Sequence, residues 1–179
     1  MSKREKYFTL SGETPADARL RTITASDCET LRVWKNANRE AFFHKEIITP
    51  KEQKAWFSGY LIRPDDLMFI VDTGVDVGCM GIRLDSGAVD VYNVIRGDKS
   101  GRRGLMREAM LLMCAFARSH YEGRIGCRVL SQNPAVAWYE QCGFAMLRER
   151  ETHVEMELST VQVVDFEVTP FHSEGRGAI

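Results

Sequence analysis

The chain has 179 residues, 44% of them hydrophobic and 27% charged, with 24 Lys and Arg against 25 Asp and Glu for a formal net charge of −1. Such a chain folds as one globular domain with its own core, and is neither disordered nor collagen-like nor a coiled coil. A charge near zero excludes a protein that coats nucleic acid by bulk positive charge, though not one with a single local anion site.

Residues 1–18 read as a polar, flexible lead-in holding Gly12 and Pro15. No apolar segment follows their basic residues, so no signal peptide is expected. LRTIT (20–24) alternates as a short strand, and Ser26 or Asp27 then caps a helix with Cys28, Leu31 and Trp34 on its apolar face. A second helix starts at Thr49–Pro50 and turns Trp56, Phe57, Tyr60 and Leu61 inward. After Pro64-Asp65-Asp66 the period becomes strand-like. DLMFIVD, DVGCMGIRL and AVDVYNVI make an antiparallel meander, split by turns at Gly74 and Asp85-Ser86-Gly87.

GDKSGRRG then leads into a long helix from Leu105 to about His120, with Leu105, Ala109, Met110, Met113 and Phe116 on one stripe. A strand (RIGCRVL), a short helix from Pro134 to Cys142, a stop at Gly143 and two strands, 144–150 and 153–158, complete the pattern. The order β-α-α-β-β-β-α-β-α-β-β is an α/β (mixed-sheet α+β) class occupying residues 19–159. Residues 160–179 read as a C-terminal strand around VVDFEV or a loose tail. An edge strand there can pair with a neighbouring chain, so monomer and homodimer both fit.

The five cysteines are scattered without CxxC spacing, and the four histidines show no HExxH pairing. That usage fits reduced thiols, a cytoplasmic location and no metal. No apolar run reaches the roughly 20 residues of a membrane span.

Charge is uneven along the chain. Residues 63–95 hold two arginines against six aspartates, a local −4, whereas 96–107 hold Arg96, Lys99, Arg102, Arg103 and Arg107 against Asp98 alone, a local +4. The basic cluster sits where a strand turns through Gly97 and Gly101 into a helix, where free N–H groups and the helix dipole attract an anion. A first turn carrying arginines in place of acidic residues suggests that the negative charge comes from a ligand. The segment is not a Walker loop, since GxxxxGK[ST] is absent, nor a GxGxxG dinucleotide fingerprint. GRRG also matches the GxxG loop of KH RNA-binding domains, but that loop joins two helices and here a strand precedes it. The acidic segment, for its part, favours a cationic substrate.

Two stretches, SGRRGLMREAMLLMCAFA (100–117) and VLSQNPAVAWYEQCGF (129–144), resemble the pyrophosphate loop with its helix and the strand–Asn–helix–Tyr–Gly-Phe block of the GNAT acetyltransferase superfamily. The resemblance spans residues 19–158. WKNANRE and ITPKEQKAWF are similar to the branch containing ribosomal-protein N-terminal and amino-sugar acetyltransferases. In the Q/R-x-x-G-x-G/A pattern only Gly104 matches strictly, because Gly101 and Met106 take the first and last positions. Met106 is expected to turn into the core.

The resemblance implies transfer of the acetyl group of acetyl-CoA to a primary amine of a sugar nucleotide, peptide or small molecule, with no metal, nucleic-acid or membrane partner. A non-catalytic CoA- or nucleotide-binding sensor is the alternative. Backbone N–H groups of Arg102, Arg103, Gly104, Leu105, Met106 and Arg107 would cradle the pyrophosphate, and Arg96, Lys99 or Arg102 would meet the 3′-phosphate. The pantetheine arm would run along Val94 and Arg96, with an N–H at Asn93 or Val94 polarising the thioester. Tyr139 matches the family's general acid, or is a core tyrosine. Asn133 contacts CoA, caps the short helix, or does both. The base is Asp90, a water relay or His44, while His120 offsets the dipole of its helix and Cys114 and Cys142 are core thiols. Trp34, Asn36, Arg39, Phe42 and Phe43 are expected to shape the acceptor site.

Overall fold

A computed structural model describes residues 6–12, 18–99, 101–160 and 164–172. Its strands are β1 (Phe8–Ser11), β2 (Arg19–Thr22), β3 (Asp66–Asp72), β4 (Asp76–Asp85), β5 (Ala88–Arg96), β6 (Ile125–Leu130), β7 (Phe144–Glu149), β8 (His153–Leu158) and β9 (Glu167–Pro170). Its helices are α1 (Cys28–Ala37), α2 (Pro50–Ile62), α3 (Leu105–His120) and α4 (Ala135–Gln141). The strands form one nine-stranded sheet in the order β7-β8-β6-β5-β4-β3-β2-β1-β9, parallel only at β5–β6 and antiparallel elsewhere.

Strand β3 explains the layering. All seven of its residues are buried, because helices cover both faces of the sheet. Leu67, Phe69 and Val71 face α3 and α4 together with Met110, Met113 and Phe116. Met68 and Ile70 face α1 and α2 together with Leu31, Phe57 and Tyr60. Fully burying a side chain of this size contributes about 1.5–3 kcal/mol. Helix α2 begins with a capping box: the Glu52 N–H donates to Thr49 Oγ1 and the Thr49 N–H donates to Glu52 Oε2 at 2.8 Å, with Pro50 in the first turn. Of its expected inner face, Phe57 and Tyr60 are buried while Leu61 is exposed.

Two strands extend the expected order. Phe8–Ser11 fell within the expected lead-in, yet it pairs with β2 and buries Phe8 and Leu10. A four-residue strand has only two inward side chains, too few to show a period against polar neighbours. Residues 1–5 and 13–17 of that lead-in lie outside the described residues. At the other end the strand is Glu167–Pro170, which overlaps only the last two residues of VVDFEV, and it pairs with β1 of its own chain; Val164 and Phe166 pack on the core. Residues 161–163 and 173–179 are not described.

A buried ionic knot ties the first elements to β4. Arg21 donates to both carboxylate oxygens of Asp27, at 2.8 and 2.9 Å, and to Asp76 at 2.8 Å. Asp27 also accepts the Thr24 N–H at the start of the turn that precedes α1.

Candidate active site

The site begins with an irregularity in β5. Tyr92 opposes Gly81 on β4, but Ile95 opposes Cys79, so β5 carries one residue more than its partner. This is a β-bulge. Asn93 takes it up with φ of 50°, a left-handed value that Asn tolerates better than most residues. Beyond the bulge the alternation is reset: Val94 joins Val89 and Val91 against the α3 side, while Ile95 joins Tyr92 on the α1–α2 side. On its other edge β5 pairs with β6 only through Val89–Ile125 and Asp90–Gly126. Past Asp90 the two strands separate, and a cavity of about 420 Å³ opens between them, lined by β5 from Asp90 to Val94 and by Arg128 and Val129 of β6.

Helix α4 brings Tyr139 to the same cavity. Its ring packs edge-on against Trp138 and Phe144, with centroids 5.1 and 5.5 Å away. Its hydroxyl makes no hydrogen bond to another described residue, and burial pushes the phenol above its ordinary pKa, so it stays protonated and able to donate. Asn133 fixes the entry to α4: its Oδ1 accepts the Ala135 N–H at 2.9 Å, and its Nδ2 donates to Ala41 O at 3.2 Å. The capping role is therefore present, and it couples α4 to the loop after α1.

The glycine turn runs from β5 to α3. Gly101 and Gly104 have φ of 95° and 88°, and Gly104 is the residue capping α3. Its carbonyl accepts from Arg107 and Glu108, which leaves the Leu105 and Met106 N–H groups without an acceptor inside the helix. Met106 is buried in the core, as expected. Gly97 lies flat against the Trp34 indole, where a Cβ would come within 2.0 Å of the ring, so Trp34 locks α1 onto the end of β5 and does not shape the cavity.

The arginines of this turn are more committed than their sequence suggests. The first turn of α3 does carry an acidic residue, Glu108, and Arg102 forms a two-point ion pair with it. Arg107 Nε donates to Gln141 O at 2.7 Å, at the end of α4. Arg96 donates to the carbonyls of Asp98, Lys99 and Gly101 at 3.2–3.4 Å, holding the turn from within. Arg103 has no ion pair or hydrogen bond among the described residues. The groups of this turn left open are therefore the helix-start N–H groups and the Arg103 side chain, while Arg96 shapes the loop. Ser100 is not described.

The cavity wall on the α1–α2 side was largely missed in the sequence. Of the five residues expected there, only Phe42 and Phe43 line it. Asn36 exchanges hydrogen bonds with Ile48, and Arg39 pairs with Glu40. Lys35, Trp56, Arg83 and Arg128 line it instead. Lys35 Nζ donates to Asn93 Oδ1 and stands 3.0 Å over the Phe42 ring; burial lowers its ammonium from the usual 10.5 to about 8. His44 also lines the wall. Asp90 accepts both Arg83 Nε at 3.0 Å and Nη2 at 2.8 Å through Oδ2 alone.

The aspartates that gave residues 63–95 their charge do not form an acidic acceptor surface. Asp66 pairs with Arg63, Asp72 with Arg19, Asp76 with Arg21 and Asp90 with Arg83. Cys114 and Cys142 are buried, their thiols pushed up to about 12 chiefly by burial, which makes them core groups and not nucleophiles. His120, at the end of α3, contacts Phe116 O through Nδ1 at 2.9 Å. Among the described residues no helix is long and apolar enough to cross a membrane.

The family model described as "Acetyltransferase (GNAT) domain" matches residues 17–145, well over half of the chain. No curated protein matches the sequence. Solved structures with the same fold include FdhC, described as a nucleotide-linked sugar GNAT (15% identity, TM-score 0.68, covering 80% of this chain and 87% of that one). Others are RimL, a ribosomal L7/L12 alpha-N-protein acetyltransferase in complex with coenzyme A (15%, 0.62, 79% and 92%), and a variant of the spermidine N-acetyltransferase SpeG from Vibrio cholerae (16%, 0.65, 79% and 92%). The bulged strand, the parted β5–β6 edge and the glycine turn at α3 all lie within the matched residues, and this chain belongs to the GNAT family of acetyl-CoA-dependent acetyltransferases.

Proposed function

We propose that the protein transfers the acetyl group of acetyl-CoA to a primary amine by direct attack. The observation that carries this reading is the meeting of the β5 bulge, the parted edge of β5 and the unbonded Tyr139 hydroxyl at one cavity. The free edge of Val91–Val94 suits a pantetheine arm that pairs with it as an added strand. The turn from Lys99 to Met106 suits the diphosphate, through N–H groups at the start of α3.

In this mechanism the amine nitrogen attacks the thioester carbonyl carbon, and a C–N bond forms as the carbonyl oxygen becomes anionic. A backbone N–H at Asn93 or Val94 faces that oxygen, in a position fixed by the bulge before reaction. Collapse breaks the C–S bond, and the departing thiolate takes a proton from Tyr139, whose burial keeps it protonated. The proton lost by the amine passes to Asp90, directly or through water. Only Oδ2 of that carboxylate is committed to Arg83, which leaves Oδ1 for the transfer.

The test is calorimetry with acetyl-CoA combined with a thiol-release assay over primary amines. Binding at micromolar to sub-millimolar concentration with amine-dependent thiol release is expected. Binding without release for any amine leaves a CoA-binding sensor as the reading, and absence of binding removes both.

A further inference from the structure

The acceptor side of the cavity carries an unusual charge balance. Three basic side chains line it, Lys35, Arg83 and Arg128, against the single carboxylate of Asp90 among the described residues. Arg83 and Asp90 neutralise one another in a two-point contact. Lys35 and Arg128 remain. Lys35 is largely buried, and its Nζ meets an amide oxygen and the face of a phenyl ring; no carboxylate lies within ion-pair distance of it among the described residues. Arg128 lies opposite Glu155 in the β6–β8 ladder, but Glu155 is held by Arg150 at 3.1 Å, and Arg128 has no ion pair among the described residues.

Register places these groups on one face. Asp90 pairs with Gly126, and Arg128 is two residues further along β6, so Arg128 projects on the same side as Asp90 and Tyr92. Arg83 opposes Asp90 across β4–β5 and shares that side. Lys35 descends onto it from α1. Two cations with no carboxylate partner, at the wall of a cavity, form a receptor for an oxyanion.

From this juxtaposition of Lys35 and Arg128 beside the bulge, we infer that the acceptor is a primary amine that also carries an oxyanion, a carboxylate or a phosphate, and not a polycation. This inference rests on the acetyl-transfer reading given above. The oxyanion meets Lys35 and Arg128 while the amine points between Asn93 and Tyr139. The same charge acts on the amine itself. Uncompensated cations disfavour its ammonium form and so ease the deprotonation that must precede attack.

The experiment measures thiol release from acetyl-CoA with matched acceptors: ethanolamine and O-phosphoethanolamine, glycinamide and glycine, glucosamine and glucosamine 1-phosphate, with spermidine as the polycation. At low salt, kcat/KM of the anionic member is expected to exceed that of its neutral partner by tenfold or more in at least one pair. That advantage shrinks as ionic strength rises, and spermidine falls below the neutral amines. The phosphate and carboxylate pairs separate the two sources of oxyanion. Arg128→Gln, at an exposed position with no partner to lose, lowers the anionic-to-neutral ratio about fivefold or more. A ratio near one in every pair, a preference for spermidine, or a ratio unmoved by Arg128→Gln overturns the anion inference. If acetyl-CoA binds but none of the anionic acceptors is turned over, the inference falls and the CoA reading stands. If calorimetry detects no acetyl-CoA binding, the acetyl-transfer reading itself falls.

Discussion

Replacing Tyr139 by Phe removes one oxygen and little else. The ring keeps its edge-on packing against Trp138 and Phe144, and the hydroxyl has no hydrogen-bond partner to abandon among the described residues. Loss of a buried hydroxyl without a partner relieves a desolvation cost, so the fold is not weakened. If that hydroxyl protonates the departing thiolate, its loss forfeits what general acid catalysis supplies, about 100- to 10,000-fold in kcat. At 1.36 kcal/mol per decade this is roughly 3–5 kcal/mol of barrier. The assay pairs steady-state thiol release with a thermal melt and acetyl-CoA calorimetry on the same preparation. A fall in kcat of two decades or more, with Tm and the acetyl-CoA Kd unchanged, is expected. A variant within threefold of the parent kcat refutes the acid role and makes Tyr139 a packing residue. A fall in kcat accompanied by an equal loss of folded protein refutes it equally.

Asp27→Asn leaves the buried Arg21 guanidinium with Asp76 as its remaining ion-pair partner in the knot. Breaking one side of a buried ionic contact costs about 3 kcal/mol, and for a chain of this size Tm is expected to fall by roughly 6–12 °C; a shift under about 2 °C would show the knot to be energetically idle. Lys35, lowered to about 8 by burial, loses its charge as pH rises through that value. Around it, Asn93 and Phe42 are uncharged, the Cys79 thiol on β4 is pushed up to about 12 and stays neutral, and His44 and Glu52 face it across the adjoining cavity. The kcat/KM ratio of an anionic over a neutral acceptor is therefore expected to fall between pH 7 and 9, by up to about tenfold per pH unit above the Lys35 pKa. A flat ratio would show that Lys35 does not hold the anion. Gly104→Ala forces a φ of 88° on a residue with a Cβ, at about 1–2 kcal/mol, and is expected to raise the acetyl-CoA Kd several-fold; an unchanged Kd in calorimetry would detach this turn from cofactor binding.

Local signals were enough for the middle of the chain. The apolar run DLMFIVD declared a strand, Thr49-Pro50 declared a helix start, and the stripe from Leu105 to Phe116 declared a long amphipathic helix. Tyr139 and Asn133 were legible because they belong to one short block whose spacing is local. The ends were not, since β1 and β9 are held by each other, and neither carries a period long enough to stand out.

The sequence by itself determined the class of the fold, the glycine turn into α3 and the family, because each rests on residues adjacent in the chain. It also showed the acidic and basic segments, but not which of their charges are matched by partners. Charge along a chain counts residues, whereas charge at a site depends on which of them meet. Four aspartates of the acidic segment are matched by arginines, three of them from other elements, and Arg102 closes on Glu108 in the same way. Only the tertiary structure put Lys35 and Arg128 beside the bulge at Asn93, since α1, β5 and β6 are far apart in sequence and the bulge resets which side chains face the cavity. The cavity that results is lined by Lys35, Arg83 and Arg128 against Asp90, although β5, which builds its floor, belongs to a segment with a local charge of −4.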